Sequence, residues 1–234
     1  KLVQQTMGST DEQAKVLEGA IKKAAANSVY GMQDAADAAL NYARQGFSAT
    51  QAADMIAPAM NLAAGTATDL ATVTGGVGNA MKIFADQGLE AESAANMLAK
   101  AQAQANTTVT DLFEAMSTAG PMLESVGWSF KDLAVVTDVF GDAGISGSEG
   151  ATALKTGLAR LASPAADGAA ALKKVNLQLF DSTGKMDDLQ TMQKKLHESF
   201  AGLSDQELMS AAAAIFGQNQ MGKWLTLINA APET

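Results

Sequence analysis

The chain has 234 residues, 48 of them alanine and none cysteine, with a single histidine and a formal net charge of -9. That length supports one large or two small domains, whereas the cysteine and histidine counts exclude a disulfide scaffold, a thiolate zinc module and an imidazole cluster for a transition metal. With 25 Asp and Glu against 16 Lys and Arg, stable binding to nucleic acid or to an anionic lipid surface is disfavoured.

The chain opens at Lys1 rather than at a methionine and closes on the polar Ala231 to Thr234, so it reads as a segment of a longer protein. No basic stretch followed by an apolar one opens it as a leader would. The longest run without a charged side chain, Leu208 to Gly222, has 15 residues, short of the about 20 that span a bilayer.

Alanine, leucine, methionine, lysine and glutamine favour helix, and aromatic residues are only 5%, so the composition predicts an all-α chain. From Asp11 to Asn27, Leu17, Ala20, Ile21, Ala24 and Ala25 fall on one helical face. Further helices are predicted over Gln33–Gln45, Ala49–Ala64 (kinked or split by Pro58), Thr68–Gln87, Ala91–Gln104, Val109–Thr118, Phe130–Asp142 and Glu149–Ala162. The last group is Ala165–Lys174, Asp187–Ala201, Asp205–Phe216 and Met221–Asn229. Between them Val175 to Phe180 alternates apolar and polar residues before the turn Asp181-Ser182-Thr183-Gly184, which predicts a small β-hairpin or single strand near 175–186. The expected architecture is an irregular array of about ten to twelve short helices, with a helical core unit over 1–163 and a C-terminal subdomain over 164–234. The seam is placed at Ser163-Pro164.

The helix breaks repeat. Gly46-Phe47-Ser48 with Gln51, Gly127-Trp128-Ser129 with Asp132, Gly144-Ile145-Ser146 with Glu149, and Gly202-Leu203-Ser204 with Glu207 read glycine, apolar, serine, then acid or amide; Gly88-Leu89-Glu90 is a weaker copy. Glycine can end a helix in the left-handed conformation, and the serine caps the next helix while the acid or amide closes a capping box. The intervening apolar residue can staple onto the fourth helical residue, Ala52, Leu133 or Leu208, but Gly150 leaves the third copy nothing to pack against. Spacings of 42, 39, 17 and 58 residues between successive glycines are too uneven for a solenoid.

No motif carries catalytic or cofactor chemistry. Gly75-Gly76-Val77-Gly78 has Met81 where the third glycine of a dinucleotide loop belongs, and reads as a kink or a tight helix contact. In Gly144 to Gly150, followed by Lys155-Thr156, Leu154 stands where a phosphate loop needs glycine and Glu149 would repel the anion. Asp181, Thr183, Asp187 and Asp188 lack calcium-loop spacing. His197-Glu198 has Ala201 in place of a second zinc-binding histidine, and no nucleophile-base pair is apparent. The twelve methionines and Trp128 and Trp224 read as core filler, with methionine faces as a minor alternative partner surface.

Taken in order, these segments resemble the core region of phage tail tape measure proteins, the phage-related minor tail proteins. The carriers are Ala43 to Ser48, Ala59 to Ala64, Gly88-Leu89, Gly127-Trp128-Ser129, Ala143-Gly144-Ile145-Ser146-Gly147-Ser148 running into Leu154 and Leu158 to Pro164, Phe180 to Lys185 with Asp181 and Gly184, and Ile215-Phe216-Gly217. Lys155 stands where that pattern has arginine, and Gly150-Ala151 inverts its small-residue order.

The resemblance implies a structural, non-enzymatic virion component present in several copies inside the tail tube, acting in tail assembly, length determination and genome ejection. It further implies tail tube, tail chaperone and baseplate or tail-tip proteins as partners, self-association in the parent protein, no cofactor and no stable nucleic-acid binding. Membrane contact is confined to ejection, and the location is the virion tail, reached through the host cytoplasm during assembly. The alternative from another class is a helical protein-binding scaffold or adaptor without catalytic activity. Frequent Gly-apolar-Ser breaks, with no sustained heptad, predict a compact unit rather than a continuous coiled coil.

Overall fold

The computed structural model describes residues 6–230; the polar end Ala231–Thr234 lies outside them. The described residues form twelve α-helices and one 3-10 turn, with no sheet, so the chain is all-α. They fall into two compact units, the first ending at Gln104 and the second beginning at Ala105.

The first unit holds α1 (Asp11–Ala26), α2 (Met32–Arg44), α3 (Ala49–Thr66), α4 (Leu70–Ile83), the 3-10 turn Ala85–Gln87 and α5 (Ala91–Gln104). Helix α3 packs against the other four, and its sequence explains why. It buries Ala49, Ala52, Met55, Ile56, Ala59, Met60, Leu62 and Ala63, more than one face of a helix can hold. Alanine at so many of these contacts lets the helices approach closely, and Tyr42, Ile56, Met60, Val73, Val77, Phe84 and Leu98 fill the space between them, each wholly buried. Pro58 does not split α3, which runs unbroken across it. Its ring removes one donor, leaving the Asp54 carbonyl without its i+4 partner.

The second unit holds α6 (Val109–Ser125), α7 (Phe130–Asp142), α8 (Gly147–Ala162), α9 (Ala166–Lys174), α10 (Leu189–Phe200), α11 (Asp205–Phe216) and α12 (Met221–Asn229). Helix α8 is its centre, touching α6, α7, α11 and α12, while α9 rests on α11. Helix α6 continues seven residues past Thr118 to Ser125 through Pro121. Because α8 packs directly on α11 and α12, helices from both sides of Ser163-Pro164 share one core. The division of the chain falls instead at Gln104–Ala105.

The hairpin near 175–186 does not form; the segment contains a single antiparallel bridge, Phe180 to Met186. Half of the alternation has another cause. Val175 caps α9 and Asn176 follows in the left-handed conformation at φ 52°. The Leu177 N–H then returns to the Leu172 carbonyl at 3.0 Å, so this stretch is a helix stop with asparagine in the place of glycine. The turn beyond it is closed by the Asp181 side chain, which accepts the N–H groups of Thr183 and Lys185 at 2.8 and 3.0 Å.

Candidate functional site

Three of the helix breaks share one construction. At Gly46 (φ 86°), Gly127 (φ 82°) and Gly144 (φ 74°) the backbone turns left-handed. The next N–H reaches back five residues: Phe47 to the Tyr42 carbonyl at 3.1 Å, Trp128 to Leu123 at 2.9 Å, Ile145 to Phe140 at 2.8 Å. Such 6→1 bonds satisfy carbonyls that a helix end leaves open. In the first break the rings of Phe47 and Tyr42 also meet edge to face, centroids 5.9 Å apart. Burial around Tyr42 pushes its hydroxyl pKa up.

Serine capping differs among the copies. Ser48 exchanges bonds with Gln51 at 3.2 and 3.0 Å, and Ser129 does so with Asp132 at 3.1 and 2.7 Å. At Ser204 the Glu207 carboxylate accepts the N–H and hydroxyl at 3.2 and 2.8 Å. The Ser204 hydroxyl is the main cause holding Glu207 below the usual carboxylate range. Ser146 makes no capping bond. There Asp111 of α6 accepts the Gly147 N–H at 3.3 Å, and Glu149 pairs with Lys223 at 2.7 Å. The helix end that superficially suggests a phosphate loop is therefore already supplied with a carboxylate. Asp111 lies below the usual range, chiefly through the Thr108 hydroxyl.

Two copies depart from the glycine rule. Gly202 is absent from the left-handed glycines, and the preceding cap residue Ala201 is right-handed at φ -61°. Gly88 is left-handed at φ 66° but ends only the 3-10 turn, with Leu89 half-buried after it.

Other glycines are there for close approach. A Cβ on Gly150 would lie 2.4 Å from the Phe140 ring and one on Gly147 2.1 Å from the Asp111 carbonyl, so α8 meets α6 and α7 without side chains between them. Gly78 leaves room for the Gln45 side chain, which donates to the Thr74 carbonyl at 3.2 Å. Within the stretch Gly75 to Gly78, which is part of α4, this residue makes a tight contact, while a Cβ on Gly75 would meet open space.

The second unit is tied at two indoles. Trp128, 1% exposed, donates from Nε1 to the Asp187 carbonyl at 2.9 Å and so holds the turn containing Asp181 and Gly184. The Asp187 carboxylate in turn meets Lys195 at 2.6 Å. Trp224 stacks on Phe216, centroids 4.3 Å apart, and its Nε1 donates to the Ala153 carbonyl beside the buried Leu154. Gly217 then reverses the chain at φ 87° with Arg160 against it. Ser148 is exposed at the start of α8, where its carbonyl accepts the Thr152 hydroxyl at 2.8 Å.

Sequence reasoning missed the left-handed Ala67 and Asn176, and the Asp111 cap, which comes from a residue far earlier in the chain. Asn176 carried a signal, since asparagine tolerates this conformation; Ala67 carried none. Among the described residues no three His, Asp or Glu side chains gather as metal ligands, and no helix is long and apolar enough to cross a membrane. His197 is exposed on α10. The arrangement is that of a packed helical framework, in which the singled-out residues end, cap and tie helices.

A family model described as phage-related minor tail protein matches residues 5–217. The tape measure protein of Pneumococcus phage Dp-1 is 27% identical over 231 residues, which cover 99% of this chain and 20% of that relative. The chain thus spans about a fifth of the relative's length. No solved structure matches. With the family's match running through both units, the chain belongs to the phage-related minor tail protein family, structural proteins of the virion tail.

Proposed function

We propose that this chain is the core segment of a tape measure protein, and that it acts in tail assembly, in setting tail length through its parent protein, and in genome ejection. The observation that carries this reading is the alignment of 99% of the chain with a relative named tape measure protein, of which it forms only a fifth. The capped, frequently interrupted helices support a further point: this segment folds into compact helical units rather than one continuous helix, and most of the measuring length lies elsewhere in the parent. Its work is structural and non-enzymatic. The partners are tail tube, tail chaperone and baseplate or tail-tip proteins, met first in the host cytoplasm.

The test is electron microscopy of tails from a phage whose tape measure gene carries an in-frame deletion of Lys1–Thr234. As one extended helix, the 234 residues would account for roughly 350 Å of tail. Loss of tails, or tails near full length that no longer deliver DNA, is the expected result. Shortening by the full 350 Å would make the segment part of the ruler. Normal tails with full infectivity would overturn the assignment.

A further inference from the structure

The first unit carries a groove and, on another helix, a face that fits it. Between α3 and α5 runs a channel whose two depressions measure about 550 and 260 Å³ and share Glu92. One end is apolar, formed by Phe47, Met55, Met81 and Leu89, and the other is floored by Ala57, Pro58, Ala95 and Ala99. Asp54, Glu90 and Glu92 stand along it, exposed, and none takes part in an ion pair among the described residues. On α3 the lining runs from Gln51 to Leu62, about three helical turns or roughly 16 Å.

Helix α1 presents the complement. Lys15, Val16, Gly19, Lys22, Lys23 and Ala26 are all exposed, lie within roughly 120° of one side at 100° per residue, and span the same three turns. That face carries three lysines, of which Lys22 also pairs with Glu18 at 2.6 Å, and one acid, the exposed Glu12; it is small in the middle and apolar at Val16, which is 55% exposed. Past its C-terminal end Val29 is 85% and Met32 49% exposed.

We propose that α1 of one copy of this chain docks in the α3/α5 groove of the next. Antiparallel to α3, α1 brings Val29 and Met32 to the apolar end of the groove and Lys22 and Lys23 to Asp54, Glu90 and Glu92. Gly19 then faces the alanine floor, which permits a close helix-helix approach. The contact is heterologous, because groove and helix are different surfaces of one copy, so it propagates head to tail rather than closing as a two-fold dimer. One helix in one groove buries a small area, and the association is correspondingly weak and salt-sensitive.

Sedimentation velocity of the whole chain at low salt, from about 10 µM to 1 mM, tests this over the range expected for a small interface. The sedimentation coefficient is expected to rise with concentration. Lys22→Glu with Lys23→Glu, and separately Asp54→Lys with Glu92→Lys, are each expected to leave monomers. An equimolar mixture of the two charge-reversed proteins restores association, since every groove then meets a helix of opposite charge. Thermal melts verify that each variant is folded. If a reversal does not fold, Asp54→Asn with Glu92→Gln removes charge without reversing it and weakens association about tenfold. A monomer at every concentration, association that survives either reversal, or a mixture that stays monomeric would overturn the proposal.

Discussion

The indole of Trp224 lies in the space that a side chain at Gly157 would occupy. A Cβ on Gly157 would come within 2.1 Å of Nε1, and from that position the indole N–H reaches the Ala153 carbonyl at 2.9 Å. The carbonyl belongs to the turn of α8 one step before Gly157, so a missing side chain, a helix contact and a satisfied buried donor are a single feature. Gly157→Ala should therefore destabilise the second unit by about 2–3 kcal/mol, the cost of overpacking plus a displaced hydrogen bond. Urea unfolding followed by tryptophan fluorescence measures it, and a red-shifted native spectrum would accompany the loss. A neutral effect would mean that the indole has room to move.

Two glycines in the same motif should respond oppositely to alanine. Gly46 is left-handed with nothing within 4 Å of a Cβ, so Gly46→Ala meets backbone strain alone and should cost ~1–2 kcal/mol. Gly202 also has open space but no positive φ. Gly202→Ala should be neutral or stabilising by about 0.4–1 kcal/mol, through the unfolded state's lost freedom. Paired thermal melts decide, and equal losses at both positions would contradict the backbone assignment.

Those glycines also mark how far the sequence could be read. Gly46, Gly127 and Gly144 announced helix ends because glycine followed by an apolar residue and a capping serine has a local cause. Gly202 carries the same letters yet has no positive φ, since the choice of conformation is made by packing. Ser146 makes no capping bond, and the helix start is instead met by Asp111, from α6, at the Gly147 N–H, a long-range contact that local spacing does not encode. Val175 to Phe180 looked like a strand because a helix stop at Asn176 and the buried Leu177 and Leu179 produce the same alternation. Pro58 stays inside α3 because packing on both sides outweighs one lost backbone bond. The division after Gln104 left no linker composition at all, so nothing in the residues pointed to it.

Trp128 is the tie between the α6–α7 corner and the turn before α10. Trp128→Phe keeps an aromatic ring but removes the donor to the Asp187 carbonyl, and should cost about 1–3 kcal/mol. The larger effect is local. The turn's remaining ties include the Asp187 N–H to Leu179 at 2.9 Å, the Asp181 N–H to Lys185 at 2.9 Å and the Asp181 side-chain bonds. Hydrogen exchange at residues 179–187 should accelerate well beyond that of α8, because the turn becomes the cheapest region to open. Uniform acceleration across the second unit would instead mean that Trp128 acts only through core volume.

Acid should unfold the chain through its capping carboxylates. The Thr108 hydroxyl chiefly holds Asp111 below its ordinary 3.8, the Thr191 N–H does the same for Asp188, and the Ser204 hydroxyl holds Glu207 below 4.5. In each the folded state favours the ionised form, so protons bind the unfolded chain first. This stability is fully present above the ordinary values and disappears as pH falls through the lowered ones. Melting temperature should stay level from pH 7 to about 5 and drop between roughly pH 4 and 2. Asp111→Asn removes the charge and one of the two acceptor oxygens that serve Thr108 and Gly147, so it should lower the melting temperature at pH 7 and make the acid limb shallower. Circular dichroism melts across that range check both effects; an acid limb as steep in the variant as in the parent would show that the helix cap at Gly147 does not depend on the charge of Asp111.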